Sequence, residues 1–464
     1  MLVTVFGVQN AHAVDLKGGG AVRLRHELAE NSTDFNSAAR DNQSYFRERI
    51  QLWGSAYQKD LGFATEAGAY VRLMSEPRQY AYKQSNTAKG DHGQRPLNEE
   101  VVVDNLYTDV KGLGNGLVDL RIGRQDLKYN DSFLIADGTP LDGSRTMYFN
   151  AAKATLNVGD KKAVDFLGIL QPKNDEFLPI MGESPTYSTA AGHAKTSSEL
   201  ALSEEREAAY AAIYKDSTTI ANTEFETYYI YKFDDAAGGT SVRTYKDDFS
   251  TIGSYAKYKF NETFALRGQG AYQFGNMDNV PVNGVNQTNK IGAFGGYAYL
   301  DGTFKDVVLS PKASLGYMYL SGDNPDTVGK NEGFNPVFGR TVPICDIFGY
   351  LGAMENGAYA YYNNTHMYRA ETTLAVTKND SLLLMYAYLR AAERQNNGAS
   401  FVASGSRDKG NLYKAKITHN FTSAIAASLG AEYLQMGNYY SDYAATKGQG
   451  DAMVFVRSEV SVKF

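Results

Sequence analysis

The chain has 464 residues, with 46 Lys and Arg against 52 Asp and Glu and a formal net charge of −6. That balance leaves no basic footprint for nucleic acid, and the single cysteine, Cys345, excludes an internal disulfide framework. Tyr 34 and Phe 23 against one Trp, with Gly 45 and only 11 Pro, describe a tyrosine- and glycine-rich β chain, in which no run approaches the roughly 18 apolar residues of a membrane-spanning helix.

Mean hydropathy is negative, yet a barrel strand shows lipid only its alternate residues, so a polar chain can still cross a bilayer. The first residues, 1–13, end in Ala11-His12-Ala13, the small-x-small pattern read by signal peptidase. They predict a partial signal peptide without its positive n-region, followed by a single domain over 14–464, exported to periplasm, outer membrane or beyond.

From Ala21 the chain alternates, with Val22, Leu24 and Leu28 on one face and Arg23, Arg25 and Glu27 on the other. The same pattern over 46–57 sets Ile50, Leu52 and Ala56 against Arg47, Arg49 and Gln51, and over 63–74 it carries Arg72 on the polar face. Residues 77–98 read as a long loop. Strands are expected near 101–111 and 117–128, then near 145–158 and 163–171. Ser197 to Tyr214 has helix-forming composition and a Ser-x-x-Glu-like start, which predicts loop plus helix at 197–206 ahead of a strand at 207–215.

Further strands are expected at about 223–233, 247–260, 263–275, 288–301 and 307–321, with Asn261-Glu262 as a tight turn. Residues 322–364 form a long unpatterned stretch, expected on the rim of a barrel. The last strands fall near 365–377, 381–394, 411–421 and 423–437. A closing strand at 452–464 alternates Val454, Val456, Val460 and Val462 with Phe455, Arg457, Glu459 and Lys463. It ends in Phe464, like the signal that the barrel-assembly machinery reads. The tally is about eighteen, an even number as single-chain barrels require. The fold class is all-β: a transmembrane antiparallel β-barrel with long extracellular loops.

Two blocks carry a family resemblance. Gly123-Arg124-Gln125, then Tyr129 and Asp131, then Asp142-Gly-Ser-Arg145-Thr146, resemble the GRQ…YGD…RTFDG signature of the alginate export family of outer-membrane porins; Asn130 and Met147-Tyr148 depart from it. Leu315-Gly-Tyr-Met-Tyr-Leu-Ser-Gly-Asp323, Phe334-Asn-Pro and Gly349-Tyr-Leu-Gly-Ala-Met354 are similar to a second block of that family. The resemblance implies an integral outer-membrane channel for an anionic, alginate-like polysaccharide.

The residues supply an independent argument. Arg23, Arg25, Arg47, Arg49, Arg72, Arg121, Arg267, Arg369 and Arg457 share polar faces near strand centres, with Lys414 and Lys416 close by. Guanidinium groups in a narrow lumen attract anions, and their forked donors match carboxylates. The competing reading is a cross-linked wall, for which Glu27, Glu48, Glu66, Glu371, Glu432 and Glu459 are available. The adjacency of Arg369 with Glu371 and of Arg457 with Glu459 warns of internal pairing.

Arg124 shares the face of Ile122, but its place at a strand end allows it to turn inward beside Asp126, Lys128, Asp131 and Arg145. Following the family motif, Arg124 and Arg145 are expected to meet carboxylates, and Asp131 and Asp142 to orient arginines or fold the loop. A purely structural clamp is the alternative. Tyr255, Tyr297, Tyr299, Tyr317, Tyr319, Tyr386, Tyr388 and Tyr433 recur on strands as candidate girdle residues.

Asp323 and Asp326 offer oxygen ligands suited to Ca²⁺, though a turn explains them without an ion. The histidines His12, His26, His92, His193, His366 and His419 show no paired-ligand spacing, so neither metal centre nor cofactor is expected. Selective permeation, with no bond made or broken, is the leading function. The expected partners are membrane lipid and an anionic polysaccharide or small anionic solute. A general sugar or carboxylate uptake porin is the alternative; a barrel enzyme would need a nucleophile with a nearby base, and a soluble β adhesin would fractionate with the periplasm.

Overall fold

The computed structural model describes residues 14–32, 35, 42–76, 78–83, 101–136, 149–171, 206–234, 246–282, 285–339, 344–356, 362–394, 405–440 and 451–464. Eighteen antiparallel strands close into one barrel. They are Asp15–Glu30, Gln43–Lys59, Glu66–Ser75, Val102–Gly112, Val118–Gln125, Phe149–Gly159, Lys162–Gln171, Glu207–Asp216, Thr223–Asp234, Lys246–Lys259, Phe264–Val282, Val285–Thr303, Lys312–Leu320, Thr365–Ala375, Asp380–Arg390, Asp408–Asn420, Ile425–Met436 and Met453–Lys463. Each pairs with its neighbour in this order, and the last returns to the first, with Ala21 opposite Lys463 and Glu30 opposite Val454.

The alternation seen in the sequence becomes an inside-out wall. Leu24 is 51 % exposed while its neighbours Arg23 and Arg25 are 4 % and 3 % exposed. Apolar side chains face outward and charged ones face inward, where they pair with one another, the inside-out pattern of a barrel built to meet hydrocarbon. The seam is finished by the C-terminus: Phe464 exchanges backbone hydrogen bonds of 2.8 and 3.0 Å with Gly20. A Cβ on Gly20 would meet the Phe464 ring at 2.6 Å, so the absence of a side chain there lets the terminal aromatic close the seam.

One end of the barrel carries short turns and both ends of the described chain. Asn261 Oδ1 accepts from the backbone N–H of Thr263 and Phe264 at 2.8 Å, and Thr422 Oγ1 accepts from those of Ala424 and Ile425 at 3.1 and 3.0 Å. Both are side chains standing in for a backbone turn. The other end carries the long connections.

Four expectations need amendment. Arg78–Lys83, expected within a loop, is a strand paired to the start of Gln43–Lys59, with Tyr45 opposite Tyr80; the proline at sequence position 77 speaks against a strand there when the sequence is read alone. The long stretch 322–364 holds a helix, Asp346–Asn356, and two-residue strands at Lys330–Asn331 and Phe338–Gly339. Phe264–Val282 and Val285–Thr303 run past their expected limits as a long hairpin. Glu48 falls on the outward parity, opposite Leu24, and is no partner for the inward arginines. The expected helix at 197–206 lies outside the described residues except for Arg206, which precedes the strand Glu207–Asp216.

Two loop segments fold into the barrel and meet there. Ile135–Ala136 pairs in parallel with Phe338–Gly339. Around this bridge Phe133 stacks on Phe334 with ring centres 5.5 Å apart, and Phe149 meets Phe338 edge-on at 5.6 Å. Phe133, Phe149, Phe334 and Phe338 are all buried. At about 1.5–3 kcal/mol for each large apolar side chain taken from water, these rings hold both loops inside the barrel. The buried thiol of Cys345 sits just ahead of the helix, and burial pushes its pKa up.

Candidate functional site

Along the seam the inward arginines are packed with carboxylates. Register forces the arrangement: Arg23 lies opposite Arg49 and Arg25 opposite Arg47, so like charges would repel without acids between them. Glu76 accepts from Arg23 at 3.0 Å and from Arg47 at 2.5 Å. Glu459 accepts from Arg25 at 2.8 Å. Glu27 accepts from Arg25 at 3.2 Å, from Arg457 at 2.9 Å and from the Tyr45 hydroxyl. Arg457 reaches on to Asp346 at 2.7 Å, tying the inward helix to the wall. Arg457 and Glu459 therefore pair across strands.

A second set of inward groups surrounds the segment 126–136, which crosses the interior as a strap. It starts on one wall, where Asp126 takes two parallel hydrogen bonds from Arg72 at 3.0 and 3.1 Å. Midway, the Tyr129 hydroxyl donates to Asp165 at 2.8 Å; burial first, and the Asp165 charge second, push its pKa well up. At the far wall Asp131 accepts from Arg267 and, at 2.9 Å, from Tyr297. Asn130 and Ser132, on either side of Asp131, have φ of 48° and 65°. Left-handed conformations cost non-glycine residues about 1 kcal/mol or more each, a cost that the anchoring contacts offset.

The motif residue Gly123 has φ +132°, and a Cβ there would lie 2.2 Å from the Leu106 carbonyl oxygen. Only glycine fits this crossing of two strands. Arg124 keeps the parity of the exposed Ile122 and lies opposite Leu106, donating to Asn150 at 3.1 Å and to the Val103 carbonyl at 2.9 Å. That is the clamp of the structural alternative, tying three strand ends together. Asp131 accepts from Arg267, and no contact joins it to Arg124 among the described residues. Asp142 and Arg145 lie outside the described residues.

Arg121 is paired to Asp109 at 2.7 and 2.9 Å and lies over the Tyr107 ring at 4.0 Å. Lys414 pairs with Glu432 at 3.2 Å. Among the described residues, the inward cations with no hydrogen-bonded or ion-paired acid include Arg369, Lys153, Lys257 and Lys416. Arg369 is 9 % exposed. Its guanidinium lies 4.5 Å from the Tyr299 ring centre, and its Nε has no acceptor. Glu371 shares its face two residues on, but no ion pair joins the two, so the adjacency read from the sequence does not produce one.

Asp323 accepts from the Glu332 backbone at 2.9 Å, and Asp326 pairs with Arg394 at 3.2 Å. Both carboxylates thus serve loop 321–337 directly. Of the tyrosines, Tyr255, Tyr297 and Tyr299 are buried inside, whereas Tyr386 and Tyr433 are exposed outside. The structure also brings together a pair that the spacing did not show: Ser44 Oγ and His26 Nε2 are 2.8 Å apart on the outward face. No carboxylate contacts this His26 among the described residues, which leaves the pair without the orienting group of a triad.

The alginate export family model matches residues 14–449. The chain belongs to the alginate export family. The matched span covers the strap, the inward helix and nearly every strand of the barrel. The barrel is similar to solved outer-membrane porins: OccAB1 of Acinetobacter baumannii, at TM-score 0.56 and 11 % identity over 97 % of this chain and 96 % of that one; OccAB4 of the same organism, at 0.54 and 12 % over 98 % and 99 %; and OccK9 (OpdG) of Pseudomonas aeruginosa, at 0.54 and 10 % over 96 % and 98 %. At such identities the likeness is one of fold. No curated protein matches the sequence.

Proposed function

We propose that this member of the alginate export family is an outer-membrane channel that passes anionic, carboxylate-bearing solutes, alginate-type polyuronates among them, through a lumen biased toward anions by its basic side chains. The reading rests on one observation above the others: Arg369, Lys153, Lys257 and Lys416 face inward with no acid bound to them, while the chain as a whole carries a net charge of −6. Acidic groups elsewhere on the molecule do not cancel cations held inside a low-dielectric wall, where a field is poorly screened.

The arrangement performs selection by electrostatics and by fit. The inward loops narrow the path, and the cations left without acids attract a carboxylate that enters it. Permeation needs no bond to form or break. In a planar bilayer, alginate oligomers are expected to block the purified chain's current at concentrations where neutral oligosaccharides of equal length do not. Equal block by both, or none by the oligomers, would overturn the reading.

A further inference from the structure

The two wall contacts of the strap, at Asp126 and Asp131, repeat one design. At Arg72, Nε donates to a wall carboxylate, Asp104, at 2.8 and 2.9 Å, and the two terminal nitrogens donate to Asp126 of the strap. At Arg267, Nε donates to a wall carboxylate, Asp301, at 2.6 Å, and a terminal nitrogen donates to Asp131 of the strap. In each case the wall acid orients the guanidinium and leaves its outer end, the end with fork geometry, pointing at the strap. The strap acids are not sealed in: the Asp126 and Asp131 side chains keep 32 % and 35 % of their surface exposed.

We infer that Arg72 and Arg267 are two carboxylate-binding subsites for the solute, and that Asp126 and Asp131 are tethered occupants that a solute carboxylate displaces. The inference rests on the anionic-solute reading above and deepens it. A carboxylate is exchanged for a carboxylate, so each guanidinium keeps its charge-assisted bonds throughout and no buried cation is left bare. The strap then yields stepwise, because its midpoint stays on Asp165 through Tyr129 and its tail stays on Phe338–Gly339. Two subsites on opposite sides of one strap suit a solute with repeated carboxylates, which gains from holding the second once it holds the first.

The test is current block of the full chain in a planar bilayer by alginate oligomers, on wild type and on Asp126→Asn, Asp131→Asn, Arg267→Gln and Tyr129→Phe. Heat-modifiable gel migration confirms that each barrel is folded. Losing the internal competitor should lower the oligomer dissociation constant by about five-fold or more in both Asp→Asn variants, given the strength of a hydrogen bond to a charged group. Arg267→Gln should raise it. Tyr129→Phe loosens the strap without freeing an arginine and should lower it far less than either Asn form; Asp126→Glu and Asp131→Glu, which keep the competing acid, should likewise fall well short of that gain. Unchanged affinity in the Asn variants, or the same gain in Tyr129→Phe, would overturn the exchange while leaving the channel reading in place. Loss of selective block in wild type would overturn the reading itself.

Discussion

The seam cluster and the strap use the same residue pair for opposite ends. At the seam, Glu27 and Glu76 each bridge two arginines from different strands, and both acids are buried inside the wall. At the strap, Arg72 and Arg267 each bridge two acids, one from the wall and one from a loop. Acids shared by arginines make a cross-link with nothing to exchange. Arg25 and Arg457 also hold two acids each at the seam, so the difference lies in how open the acid is: Asp126 and Asp131 keep 32 % and 35 % of their side-chain surface exposed against 2 % for Glu27. On the exchange proposed above, it is the open acid that can be replaced.

The largest effect should come from breaking the seam. Glu27→Gln removes the negative charge shared by the buried Arg25, the half-buried Arg457 and the Tyr45 hydroxyl, and losing one partner of a buried pair costs about 3–5 kcal/mol. Thermal unfolding in detergent, followed by gel migration, should show a markedly less stable barrel. Next, Phe133→Ala removes the ring that links Phe334 and Tyr297. At about 3–5 kcal/mol for a buried Phe, it should free the strap and raise single-channel conductance while the barrel's own melting moves little. If conductance holds, the strap does not narrow the path.

Arg369→Gln removes a cation without an acid partner, so it should leave stability near wild type and lower the preference for anions. A strongly destabilised Arg369→Gln barrel would mean that this arginine belongs to the wall instead. The smallest effect is expected at the exposed rim. Asp326→Asn breaks a pair whose side chains are 52 % and 74 % exposed; surface pairs of this kind contribute about 0–1 kcal/mol. Neither melting nor conductance should move.

The strands were legible because period-2 alternation, tight turns and a terminal phenylalanine act locally. The strand Arg78–Lys83 was hidden by Pro77, and the helix Asp346–Asn356 by its glycines and aromatics, which carry little helix propensity and form the helix by packing inside the barrel. The list of inward arginines followed from the same parity rule. Their partners did not. Arg25 meets Glu459 across 434 positions of sequence, a contact set by barrel closure, and Glu48 fails as a partner through one residue of parity. Glu76 as the partner of Arg23 and Arg47, and Asp126 as that of Arg72, were missed because each lies just past a strand end, where alternation no longer reports direction, and Asp346 because it opens a helix that alternation does not show. Asp131 was found through the motif alone.

The central claim is that inward cations without acids set the sign of selectivity. Its most direct test is the reversal potential of the purified chain in a planar bilayer under a potassium chloride gradient, for wild type beside a variant carrying Arg369→Gln and Lys416→Gln. The account predicts a chloride-selective potential for wild type that shifts toward zero in the variant, with both barrels folded. A cation-selective wild type, or a variant with the wild-type potential, would contradict it.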